Sequence, residues 1–177
     1  MLEDILLSDN LIEDINSNID VLIKMFPEID DMIGFEHKNK HHYLDVWEHT
    51  LKALSFSNKN FIVRLTLLLH DIGKPYSYQE DGDIRHFKNH NIVSEKIARK
   101  RLIILGYDKC FVDKICYLIL NHDIEISKED LMDDYKLQLL RFQVQICDIK
   151  AHKLLENDKR LVYIDSTKKL MKEYENR

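Results

Sequence analysis

Six residues interrupt otherwise apolar stretches with groups able to bind a cation. His70 and Asp71 follow Leu67-Leu68-Leu69, and His49 lies within Asp45-Val46-Trp47-Glu48-His49-Thr50-Leu51. His90 comes just after Phe87, His122 closes the stretch from Cys116 to Leu120, and Asp148 breaks the run around Ile146, Cys147 and Ile149. Ionisable side chains avoid apolar interiors unless they are paired or ligating. Taken singly, each has an ordinary reading: a histidine on an apolar face is a hydrogen-bonded core residue, and Asp71 caps nearby backbone. Taken together, so many intrusions at helix ends in one small chain are hard to bury separately, and convergence on a metal centre disposes of them at once. Adjacent residues on a continuing helix point about 100° apart. Gly73 and Pro75 end this helix just past His70-Asp71, so the backbone can turn both side chains toward one point.

The elements that must position these residues read as helices. Among 177 residues there are only 4 Gly and 2 Pro, the residues that make tight turns and break helices, while 45% are hydrophobic and 32% charged. An all-α fold follows: a compact bundle of about seven helices in one domain over residues 1–177, with at most one small hairpin. Apolar spacing predicts helices over about 10–25, 44–58, 60–71, 91–105, 109–121, 134–155 (with a possible break) and 157–175. The helix over 60–71 is apolar nearly all round and therefore central. Residues 27–42 read as a loop or short turns, and Asp81-Gly82 between Tyr78 and Ile84 marks a short loop or hairpin. The Lys/Glu-rich end from Lys168 reads as a solvated helix face. A net charge of −5 argues against a surface built for long nucleic acid. No apolar run approaches the ~20 residues of a membrane span, and the acidic start MLEDILLSDN lacks a basic signal region, so a cytoplasmic protein is expected. Cys110, Cys116 and Cys147 are odd in number, lack C-x-x-C spacing and sit in apolar stretches, so they are expected as reduced, buried thiols. Any metal chemistry therefore uses His and carboxylates.

In order along the chain, His49, His70-Asp71, His90, His122 and Asp148 resemble the H…HD…H…H…D signature of the HD-domain metal-dependent phosphohydrolases. The resemblance covers about residues 40–155, with flanking helices at both ends. Its most specific pieces are Asp45 to Leu51, Leu68-Leu69-His70-Asp71-Ile72-Gly73-Lys74-Pro75 and His86-Phe87-Lys88-Asn89-His90, which are similar to the HD domain of bacterial CCA-adding tRNA nucleotidyltransferases. The chain shows no Gly-Ser followed by an Asp-x-Asp pair, so nucleotide addition is not carried over. It also lacks the Gly-Tyr-Pro motif of cyclic-di-GMP phosphodiesterases and the Glu-Asp pair of guanosine-tetraphosphate hydrolases. The resemblance implies that His49, His70, Asp71 and Asp148 bind one divalent ion, with Asp71 bridging to a second held by His90 and His122. In single-ion members the last two positions contact phosphate instead.

Imidazole with carboxylate is a borderline donor set that suits Mn, Fe, Co, Ni or Zn better than an all-oxygen Mg or Ca cage. Manganese or iron is expected first, with magnesium still possible. Such an ion acidifies water and polarises a phosphoryl oxygen, so hydrolysis of a phosphomonoester or phosphodiester is the natural reaction, with Asp71 and Lys74 as catalytic residues. Lys74, held between Gly73 and Pro75, is placed to neutralise substrate phosphate, where the resemblance implies His90 and His122 as further substrate contacts; its alternative is a solvated loop lysine. The expected partner is a small phosphorylated substrate, in the first place a nucleotide. A non-catalytic, metal-containing nucleotide-binding or regulatory module is the alternative function. His152, one turn beyond Asp148, reads as exposed or supporting and is left out of the ligand set. His37, His41 and His42 read as solvated loop histidines, the alternative being that His41 or His42 lines the cleft mouth and touches phosphate or base. Asp45 is either a favourable acid at a helix start or an orienting partner for His49. Trp47 and Phe87 can stack on a base, although core packing is the expectation for both.

Overall fold

The computed structural model describes residues 1–38, 44–153 and 158–175. The low Gly and Pro content has the expected result, and helices make up nearly all of the regular secondary structure among the described residues. They are α1 (Leu2–Leu6), α2 (Leu11–Ser17), α3 (Ile19–Met25), α4 (Val46–Ser55), α5 (Phe61–Leu69), α6 (His90–Ile104), α7 (Lys109–Leu120), α8 (Lys128–Ala151) and α9 (Lys159–Glu175). Short 3₁₀ turns cover Pro27–Met32 and Lys74–Tyr76. Between α5 and α6, β1 (Gln79–Asp81) and β2 (Ile84–His86) form an antiparallel hairpin in the register Gln79–His86, Glu80–Arg85, Asp81–Ile84. Its turn uses Gly82 at φ 60°, a left-handed conformation that glycine adopts without a Cβ clash.

Helix α5 lies at the centre because its apolar residues occupy every side. Val63, Leu65, Leu67, Leu68 and Leu69 are all buried, and α1, α4, α7 and α8 pack around them. Asn60 starts the helix, its side-chain oxygen accepting from Val63 N at 3.1 Å. The helix α4 begins at a capping box: Asp45 accepts from Glu48 N at 2.7 Å, and Glu48 accepts from Asp45 N at 3.1 Å. Past α5, Gly73 seals the chain against α6. A Cβ there would stand 2.4 Å from Ser94 N and 2.7 Å from His90 O, so only glycine permits this approach. A second apolar cluster, with Phe142, Ile149, Ile164 and Met171, joins α8 to α9.

The structure refines several expectations. The expected helix over 10–25 is divided at Asn18 (φ −114°, ψ 22°), whose side-chain amide donates to Asp14 O at 2.8 Å beside its own main-chain N at 3.1 Å. Helix α1 was not anticipated; it is five residues long and is held by burial of Leu2, Ile5 and Leu6. Helix α8 starts earlier than its apolar spacing suggests because Ser127 and Asp130 form a capping box, and its break falls at Asp134 (φ −147°). It ends at Ala151 within the described residues; Leu155 and Asn157 lie outside them. Cys116 and Cys147 are buried, but Cys110 is exposed, because it occupies the outward face of the first turn of α7. The end of α9 is not solvated all round: Met171 is buried, and the Tyr174 ring stacks on Tyr135 at 5.0 Å.

Candidate metal centre

The six residues singled out by their placement meet where α4, α5, α6, α7 and α8 come together. Three of the four histidines are aimed by the same local bond. His70 Nδ1 donates to Leu67 O at 2.7 Å, His122 Nδ1 to Ile119 O at 2.6 Å and His90 Nδ1 to Phe87 O at 2.9 Å. In the first two cases the carbonyl belongs to the last turn of a helix, where main-chain acceptors have no partner within the helix. The consequence is chemical as well as structural. With Nδ1–H committed to a carbonyl, the neutral ring presents the lone pair of Nε2 to the centre. His49 reaches the same point from the middle of α4, its Nε2 lying 2.8 Å from Asp148 Oδ1 of α8.

The donor atoms are spaced like the edges of a coordination shell. Asp71 Oδ2 lies 3.7 Å from His49 Nε2 and 3.3 Å from His70 Nε2, and Asp148 Oδ1 lies 3.4 Å from His70 Nε2. Two donors each about 2.1 Å from one ion are about 3.0–3.4 Å apart for bond angles between square and tetrahedral. The other oxygen, Asp71 Oδ1, lies 3.4 Å from His90 Nε2, which lies 3.2 Å from His122 Nε2. Those two ring nitrogens are both acceptors when neutral, so a shared proton or a cation must separate them. His70 Nε2 and both Asp71 oxygens are sealed from solvent without a well-formed hydrogen bond, and of the two oxygens only Oδ2 has a cation, Lys74 Nζ, within 2.7 Å. Buried polar atoms of this kind are exceptions that call for a ligand. The set His49, His70 and Asp71 and the set Asp71, His90 and His122 are each compact enough to hold an ion, and Asp71 belongs to both. The residues present therefore fit a divalent metal.

The profile of the HD domain matches residues 40–165. The chain belongs to the HD-domain family. It is 31% identical over 110 residues to the CC-adding tRNA nucleotidyltransferase of Thermus thermophilus, an alignment covering 58% of this chain and 25% of that protein. It is 29% identical over 111 residues to the A-adding tRNA nucleotidyltransferase of Deinococcus radiodurans, covering 59% of this chain and again 25% of the relative. The alignments thus span about a quarter of the length of these relatives.

Electrostatics in this HD-domain centre is dominated by two buried carboxylates. Burial alone would raise both, but His70, Lys74 and His90 hold Asp71 well below the usual carboxylate range, and His152, His49 and His70 do the same for Asp148. The anionic pair in turn draws positive charge. Despite burial, Asp71 and Asp148 raise the pKa of His70, and Asp123 with Asp71 pushes His122 up to about 9. His49 and His90 shift downward, burial outweighing their carboxylate neighbours.

Around the HD pair the structure corrects some readings. His37 is not a solvated loop histidine: it is 1% exposed, its Nδ1 donates to Leu44 O at 2.9 Å, and its Nε2 accepts from Lys74 Nζ at 3.1 Å. Next to it, Glu36 forms a β-bridge with Asp45 at the start of α4. His41 and His42 lie outside the described residues. Lys74 is buried and pairs with Asp71 Oδ2 at 2.7 Å. Asp45 is the cap of α4 and also accepts from Gly34 N at 2.9 Å. Trp47 is buried in the core, whereas Phe87 is only partly buried and lines the cleft over Asp71, His90 and His122. Two residues outside the expected ligand set also reach the centre. His152 groups with His49 and Asp148, and Asp123 lies 2.8 Å from His122 Nε2 and 3.3 Å from His90 Nε2. His152 was visible as one turn beyond Asp148; Asp123 carried no signal except its place next to His122. Among the described residues, no helix is long and apolar enough to cross a membrane.

Proposed function

We propose that this HD-domain chain hydrolyses a phosphomonoester or phosphodiester of a nucleotide or related small molecule, using one or two divalent transition-metal ions, manganese or iron first. The observation that carries this reading is the packing of the His49, His70, Asp71 and Asp148 donors at 2.8–3.7 Å, with His90 and His122 against the second oxygen of Asp71. A bound ion would supply an activated water and polarise the phosphoryl oxygen. His49, His70, Asp71 and Asp148 would hold it, and Asp71 would share its second oxygen with a further ion at His90 and His122. The chain's own contribution is orientation and charge. Lys74 Nζ, donating to His37 Nε2 and paired with Asp71, fixes the carboxylate and brings a positive charge to the wall of the cleft. In a single-ion form, His90 and His122 would face the substrate, and the basic His122 Nε2 would donate to a phosphoryl oxygen.

A second reading is favoured by the alignments, which match only a quarter of each tRNA nucleotidyltransferase: a metal-containing, nucleotide-binding HD module with little turnover. In that case the 3′ end of a tRNA joins small nucleotides as a ligand class. The two readings separate on phosphate release and ring opening, followed chromatographically with and without manganese. The substrates are nucleoside mono-, di- and triphosphates and 2′,3′- and 3′,5′-cyclic nucleotides. The hydrolase reading expects manganese-stimulated product from the wild type and, for Asp71→Ala, a loss on the order of 10³-fold, at the upper end of that for removing one stabilising donor from an active site. A metal-loaded wild type that turns over none of them favours the binding module.

A further inference from the structure

A cleft of about 300 Å³ opens off the metal centre between α8 and α9, beginning at His122, Asp148 and His152 and ending at Lys159 and Arg160. Ile124, Ile149 and the Tyr163 ring form its apolar walls. Two of its polar side chains are already used. Tyr163 OH donates to Gln145 Oε1 at 2.6 Å and accepts from Ile126 N at 3.2 Å, while Gln145 Nε2 donates to Ile124 O at 2.6 Å. Arg160 differs. Its Nη1 is buried without a hydrogen-bond partner among the described residues, and the nearest acid along the chain, Asp158, stands 3.8 Å from Nε. A buried guanidinium donor left unmatched is rare in folded proteins, and its planar fork is shaped to receive an oxyanion.

We infer that Arg160 binds a second anionic group of the substrate, so that the preferred phosphoester carries another phosphate or carboxylate on the part not being attacked. The inference rests on the metal-dependent reading of the site. Asp123, Glu125 and Asp148 also line the cleft and repel anions unless cations offset them at the centre. The position of Arg160 supports a role in affinity. It is in the first turn of α9, outside the ligand clusters, at the end of a space large enough for a small phosphorylated molecule.

The test is calorimetric binding of two probes to the manganese-loaded full chain: inorganic phosphate, with one phosphoryl group, and methylenediphosphonate, with two and no cleavable bridge. Manganese is kept in excess of the diphosphonate. The expected result is tighter binding of the diphosphonate by the wild type, a loss of at least tenfold in that affinity for Arg160→Gln, unchanged phosphate affinity, and partial recovery for Arg160→Lys. Thermal unfolding of each variant establishes that it is folded. Equal losses for both probes would place Arg160 on the attacked phosphoryl group and overturn the inference, as would no loss for either or no binding of the diphosphonate by the wild type. Metal content measured on the same samples reports separately on the metal centre. Arg160-dependent diphosphonate binding by a protein that hydrolyses no phosphoester would leave this inference standing and remove the hydrolase reading.

Discussion

Helix α8 carries two buried polar clusters, seven residues or about two turns apart, and they are built on opposite principles. At Arg141, 1% exposed, the donors are matched: Nε donates to Asn121 O at 3.0 Å, Nη1 to Gln138 Oε1 at 3.1 Å and Nη2 to Ile124 O at 2.6 Å. At Asp148, the neighbouring His70 Nε2 and Asp71 Oδ1 are sealed without such partners, Asp71 Oδ2 has only the Lys74 ion pair, and two like-charged carboxylates share one interior. Buried polar groups that are fully satisfied act as structure, whereas clusters left open by the protein are held for something else. The two are also linked, because the carbonyls gripped by Arg141 belong to the 121–124 turn that carries His122 and Asp123. The closed cluster holds the open one in place.

The contrast can be broken most forcefully at its closed side. Arg141→Met would leave the carbonyls of Asn121 and Ile124 without that donor, with an expected loss of about 3 kcal/mol or more and a fall in Tm of roughly 6–12 °C. Thermal and denaturant unfolding of the metal-free protein measure this. A variant as stable as the wild type would mean that the Arg141 cluster is not the strut described. The open side is sharpened by adding metal. At 100 times its dissociation constant, a metal that binds only the folded state adds about 2.7 kcal/mol. A corresponding rise in Tm, reversed by a chelator and absent in Asp71→Ala, is expected from scanning calorimetry.

A smaller effect comes from pH. Burial first, and then Lys74, lower the pKa of His37 from 6.5 to about 3, so below pH 6.5 the unfolded chain takes up a proton that the native chain does not. The contribution of His37 to stability is therefore undiminished above pH 6.5 and is lost progressively as the pH falls toward 3. His37→Gln should lose less stability than the wild type between pH 7 and pH 5 in matched urea titrations. Parallel losses would show that His37 is not held neutral at Lys74.

What could be read from the sequence follows the same division. Helical spacing around Leu65 to Leu69 and the polar intrusions at His49, His70-Asp71, His90, His122 and Asp148 are local patterns, and they led to the all-α fold and to a candidate centre whose donors do meet. His37, Asp123, Arg141 and Arg160 gave no comparable signal, because their settings are made by long-range packing. His37 meets Lys74 thirty-seven residues further along the chain, and Arg141 meets the carbonyls of Asn121 and Ile124 twenty and seventeen residues away. The division of the helix over 10–25 at Asn18 is a local departure from helical backbone angles (φ −114°, ψ 22°) that apolar spacing does not report. Cys110 lies within an apolar stretch yet faces solvent, since periodicity there did not specify which side of α7 packs inward.

The central claim is that the open cluster is a metal centre, and metal content measured by mass spectrometry on purified wild type and Asp71→Ala tests it most directly. After equilibration with manganese or iron and removal of free ion, the account predicts one to two ions per wild-type chain. It predicts near-complete loss from an Asp71→Ala protein that is still folded by circular dichroism. A folded wild type that retains no transition metal, or equal retention by the two proteins, would contradict it.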